Sequence, residues 1–190
     1  MMAGMPISSV PMPRQVRRRL LSLATMEIIN IPLQAGLWFG MVGLPITVPN
    51  LVGFGLFALL LVEGAGYWTA KLHQLRCHVR ILPATRAFRV ARAANPVLLS
   101  AGLAVIGYAA VADPGSATWP GLAFAAFAAL EHVNYFHVQL MHDTFADLHR
   151  LRTVGLRPSH LARDLRQVRF MRSRPVPGIS RRGHRSRART

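Results

Sequence analysis

Acidic residues are scarce in this chain: seven Asp and Glu stand against 23 Lys and Arg in 190 residues, a formal charge of +16. Charge of either sign is thin, at 16% of positions against roughly 25% in an ordinary soluble domain, which excludes a typical cytosolic globule. Cysteine is almost absent, and Cys77 alone excludes a disulfide scaffold. The sequence holds no Gly-rich phosphate loop, no Ser/His/Asp hydrolase spacing and no His-Glu-x-x-His, so the common nucleotide, hydrolase and zinc-protease signatures are missing. Apolar residues, in contrast, make up 52% of the chain, far too many for a wholly disordered polypeptide. A mean hydropathy of +0.29 in so basic a chain requires charge and apolar surface to be segregated along it.

The segregation is plain. From Ile28 to Val62 there are 35 consecutive positions without a charge. As one helix they would extend about 52 Å at ~1.5 Å per residue, well beyond a ~30 Å hydrocarbon core. Pro45 and Pro49 break the run, so it reads as a hairpin of spans at about 22–45 and 50–71. A second run from Ala93 to Leu130 is broken at Asp113-Pro114-Gly115, and it reads as spans at about 96–112 and 119–141. The expected fold is therefore an all-α integral membrane protein with four transmembrane helices arranged as two hairpins.

Arginine placement sets the expected topology. Arg14, Arg17, Arg18 and Arg19 precede the first span, Lys71 to Arg92 link the hairpins, and the chain after the fourth span is Arg-rich. The other two connections, 45–50 and 112–119, carry no Lys or Arg. The positive-inside rule then puts both termini and the middle link in the cytoplasm of a bacterium, with the chain multi-pass in its inner membrane. Glu27 and Asn30 interrupt the first apolar stretch, so residues 1–45 read as a signal anchor and not as a cleaved peptide.

Four segments follow: a basic cytoplasmic start (1–21), the transmembrane domain (22–141), a cytoplasmic amphipathic segment (142–172) and a disordered basic tail (173–190). Leu161, Leu165, Val168 and Met171 share one helical face, with Arg163, Arg166, Arg169 and Arg172 away from it. Such a helix suits a surface of anionic lipid headgroups, or equally the protein's own loops. A nucleic-acid partner is not expected, because no aromatic residues interleave with the arginines.

The two hairpins also resemble each other. Leu33-Gln-Ala-Gly-Leu37 matches Leu99-Ser-Ala-Gly-Leu103, and Glu63-Gly-Ala-Gly-Tyr67-Trp68 matches Glu131-His-Val-Asn-Tyr135-Phe136 without a gap. Both hairpins start and end on the same side, which makes this a parallel repeat. At ~100° per residue, Glu63, Tyr67, Lys71 and Gln74 fall on one stripe of the second helix. Glu131, Tyr135, Gln139 and His142 form the equivalent stripe of the fourth.

Carboxylates in hydrocarbon are costly and face a bundle interior or a hydrated cavity. Glu27, Glu63 and Glu131, together with Tyr67, Asn134, Tyr135, Gln74, Gln139 and His142, are accordingly the candidate site residues. The expected site opens to the cytoplasm between the second and fourth helices. It would bind a small ligand, a lipid or a quinone headgroup, or move protons. The alternative is an accessory or assembly subunit, docked in a homodimer or a larger membrane complex, whose polar stripes only set helix packing. Gly36-x-x-x-Gly40 on the first helix, and Gly121, Ala125, Ala128 and Ala129 on the fourth, supply the small residues for such packing. A further alternative is a divalent metal held by Glu27, Glu63, Glu131 and His132; the Glu-x-x-His signature of carboxylate diiron bundles is absent.

Overall fold

A computed structural model of the protein describes residues 12–114, 117–138 and 158–173. These residues are helical almost throughout, with no strand among them and one isolated antiparallel bridge between Val138 and Pro158. The elements are α1 (Arg14–Ala35, continued by a π-helical stretch Gly36–Met41), α2 (Val48–Arg76), α3 (Thr85–Ala112), α4 (Trp119–Phe136) and α5 (His160–Ser173).

Three of these, Arg14–Met41, Val48–Arg76 and Thr85–Ala112, are long and apolar enough to cross a membrane. The described residues thus form an all-helical fold with membrane-spanning capacity. α4 has 18 residues, and Glu131, His132 and Asn134 fall in its last turns.

Proline places the boundaries. Pro49 and Pro120 occupy the first turns of α2 and α4, where a missing N–H costs nothing. α3 stops at Asp113, held out of the helical region by Pro114. Pro32 lies inside α1, and four residues later the helix widens into the π-helical stretch that carries Trp38 and Phe39. α3 extends well upstream of its apolar run, so that Arg86, Arg89 and Arg92 ride on the helix and Pro96 sits within it.

α2 is the central helix and packs against α1, α3 and α4. Its Leu56, Phe57, Leu60 and Leu61 form the core with Phe124, Ala125 and Ala128 of α4, Leu99 and Ile106 of α3, and Leu161 and Leu165 of α5. α2 and α4 run side by side in the same direction. Gly53 lies against the backbone of Gly121, and farther along Gly64 lies under the ring of Tyr135. A β-carbon at Gly53 would land on the Gly121 carbonyl, and one at Gly121 on the Pro49 carbonyl, so glycine is what permits the contact. Asn50, fully buried, locks the two helix starts together: its Oδ1 accepts from the Gly121 N–H at 2.9 Å and its Nδ2 donates to the Pro45 carbonyl at 2.9 Å.

The expected packing role is met on α4, where Gly121, Ala125 and Ala128 are buried. It is not met on α1: Gly36 and Gly40 have nothing within 4 Å of a β-carbon position, because the π-helical turn directs Trp38 and Phe39 toward Phe124 instead.

α5 docks on the bundle. Ser159 caps it by accepting from the Ala162 N–H and ties it to α4 by donating to the Tyr135 carbonyl. Leu161, Ala162 and Leu165 are buried, so this part of its apolar face packs against the protein itself.

Candidate functional site

A cavity of about 910 Å³ lies between α1 and α4, with α2 as its floor and the first residues of α5 at one end. Its long walls are apolar: Leu23, Leu33 and Trp38 from α1, Phe57 and Leu61 from α2, and Phe124 and Phe127 from α4. Polar groups gather toward the α5 end, where Glu27 and Asn30 of α1 face Glu131, Asn134 and Tyr135 of α4. Tyr67 and Lys71 of α2, and His160 of α5, complete that end.

Helical spacing explains the arrangement. Phe127, Glu131 and Tyr135 repeat every four residues and share the face of α4 turned to α1. Glu27 and Asn30, three apart on α1, share the opposing face. Tyr135 closes the gap by donating its hydroxyl hydrogen bond to Glu27 Oε1 across the cavity. The Asn134 Nδ2 donates to Glu131 Oε2 at 3.4 Å. Gln34 accepts from the Trp38 Nε1 at 2.8 Å, which holds the indole against the wall.

The stripe on α2 divides. Each four-residue step advances ~40° around the helix, so Glu63 turns toward α3 while Tyr67 and Lys71 turn toward α5. Glu63 Oε2 accepts from Asn95 Nδ2 at 2.7 Å, and Asn95 is only 1% exposed. Tyr67 and Lys71 both grip Asp164: the hydroxyl donates to Oδ2 at 3.0 Å, and Nζ reaches Oδ2 at 2.9 Å and Oδ1 at 3.0 Å. Gln74, farther along, donates to the Arg80 carbonyl at 3.3 Å. The cavity does not open between the second and fourth helices themselves. Those helices touch through glycine, and the open space lies between α1 and α4.

Of the candidate residues, the cavity brings together Glu27, Glu131, Asn134, Tyr135 and Tyr67, and leaves Glu63 and Gln74 out. Gln139 and His142 lie outside the described residues. His132 is buried on another face of α4, where its ring stacks near Phe136 at 5.0 Å and His137 at 5.3 Å and neither nitrogen has a hydrogen-bond partner among the described residues. Glu27, Glu63, Glu131 and His132 thus do not converge. Among the described residues no group of three His, Cys, Asp or Glu is placed to hold a metal ion.

Sequence reasoning missed Asn50, Asn95 and Asp164. Two signals pointed to Asp164: it is the lone acid after Asp147, and Lys71 is the only lysine in the chain. Comparison with known proteins returned no matching family model, no matching curated protein and no matching solved structure.

Proposed function

We propose that the chain is a four-span membrane protein that binds a small amphipathic ligand in the α1–α4 cavity, the polar end of the ligand at Glu27, Asn30, Glu131 and Asn134. The observation that carries this reading is the cavity itself. Its 910 Å³ matches the size of small-molecule sites, and it joins a long apolar wall to a compact polar end. Intramembrane carboxylates on such a wall are the expected mark of a site. α4 serves as the fourth span, its polar last turns being shielded by α1 and α5. Arginines on the N-terminal segment, the α2–α3 link and the C-terminal segment support a bacterial inner-membrane protein with both termini cytoplasmic, set against anionic headgroups.

Duplication of the hairpin is part of the reading. Gly53 and Gly121 are separated along the chain by the same distance as Glu63 and Glu131, and they pack against each other. Equivalent residues meet in this way where a two-fold axis passes between repeats.

The test is lipid and small-molecule mass spectrometry on protein extracted with its native bilayer patch, comparing wild type, Glu131→Gln and Ala123→Trp, which fills the cavity. A stoichiometric amphiphile lost from Ala123→Trp supports the site. A wild type as empty as the filled variant rejects it.

A second reading is favoured by one observation. Glu63 and Asn95 satisfy each other between α2 and α3 without facing the cavity, as polar stripes of a non-catalytic subunit in a homodimer or membrane complex would. Under that reading Glu131→Gln changes complex assembly and no bound molecule.

A further inference from the structure

The proposal here rests on the cavity reading and narrows the ligand class. Two carboxylates, Glu27 and Glu131, face each other at the polar end. Some donors there are spent on the protein, Tyr135 on Glu27, Tyr67 and Lys71 on Asp164, and the Trp38 indole on Gln34, while Arg19, Asn30 and His160 also line the cavity. Each glutamate offers about four lone-pair directions, and among the described residues the hydrogen bonds that reach them come from neutral groups, Tyr135 and Asn134. Lys71, the cation on the α2 wall, already has its carboxylate in Asp164.

A quinone or a phosphate presents acceptors and would bring them up against the two carboxylates. A group that brings its own positive charge or N–H donors completes the site. The rest of the lining suits the same guest. Phe127 stands one turn from Glu131 on the same face of α4, and Phe124, Trp38 and Phe57 continue the wall. Aromatic faces attract cations as well as apolar bodies, and the effect grows where water is thin. We propose that the α1–α4 cavity binds an amphipathic organic cation, an amine or quaternary ammonium on an apolar body, with its charge between Glu27 and Glu131.

The experiment uses a pair of ions alike in size and shape and opposite in charge, tetraphenylphosphonium and tetraphenylborate, with decylubiquinone as a neutral guest. Binding to the full chain in nanodiscs of zwitterionic lipid is measured by equilibrium dialysis, with empty discs subtracted. The expected result is about one phosphonium per chain, held at least tenfold tighter than the borate. Glu27→Gln/Glu131→Gln should erase the tenfold preference while decylubiquinone uptake is retained. Phe127→Ala keeps both charges and should weaken phosphonium severalfold, which keeps the idea testable where the double variant does not fold. Equal binding of the two ions with uptake of decylubiquinone overturns the cation assignment and leaves the cavity reading standing. Failure of all three to bind overturns both.

Discussion

The contact of α2 with α4 through Gly53 gives the sharpest test of the fold. In Gly53→Ala the new methyl falls on the Gly121 carbonyl, which is backbone and cannot rotate away. The helices must separate or slide, and forced overpacking of this kind costs about 1–3 kcal/mol. Separation also stretches the 2.9 Å bond from the Gly121 N–H to Asn50. Losing that bond in a buried place costs about 1–3 kcal/mol. Better helix propensity of alanine returns up to about 1 kcal/mol. The net expectation is a loss of about 2–4 kcal/mol, or about 30- to 1,000-fold in the folding constant. Gly55 supplies the control: it lies on the same helix with nothing within 4 Å of its β-carbon position, so Gly55→Ala should be neutral or slightly stabilising. The assay is unfolding by SDS in mixed micelles, followed by circular dichroism and tryptophan fluorescence. Gly53→Ala and Gly55→Ala within about 0.5 kcal/mol of each other would refute the glycine-mediated contact.

Three further outcomes are expected. Asp164→Asn removes the ion pair that holds α5 to Tyr67 and Lys71, so hydrogen exchange across residues 160–167 should quicken about tenfold while α2 stays protected; unchanged exchange there would show that apolar packing alone seats α5. Glu63→Gln keeps a partner for Asn95 and should unfold within about 0.5 kcal/mol of wild type, whereas Asn95→Leu strands the carboxylate and should cost about 1–3 kcal/mol in the same SDS titration; the reverse order would contradict the Glu63–Asn95 bond. Cys77, exposed and the only cysteine, should react with a membrane-impermeant maleimide in inverted vesicles and not in intact cells, and labelling from outside the cell would reverse the proposed topology.

Charge distribution carried most of the fold. A charge-free run beside paired prolines leaves little choice but a turn at Pro45–Asn50, and the helix that follows does start at Val48. The start of α3 was less visible, because arginine is as good a helix former as most residues and Arg86, Arg89 and Arg92 mark charge without marking a boundary. At the site, periodicity selected Glu131 and Tyr135 correctly as one face. It could not show that α2 rotates Glu63 to α3 before Tyr67 reaches α5, since a stripe read from spacing has no neighbours. Asp164 was hidden for a related reason. An acid among arginines on an amphipathic helix looks like a solvated charge until Lys71 is found beside it.

The grip of Tyr67 and Lys71 on Asp164 also orders the assembly of the molecule in time. Lys71 and Asp164 are 93 residues apart, and Glu27 meets Tyr135 across 108. At ~5–20 residues per second, a ribosome needs about 5–20 s to pass from the only lysine to its partner. Early in that interval the tyrosine and ammonium groups of α2 are unclaimed, and the cavity has neither its α4 wall nor its α5 end. A chain that stalls after α4 and before residue 159 therefore carries the α4 wall without the α5 end, and the pocket is completed only once α5 has been made.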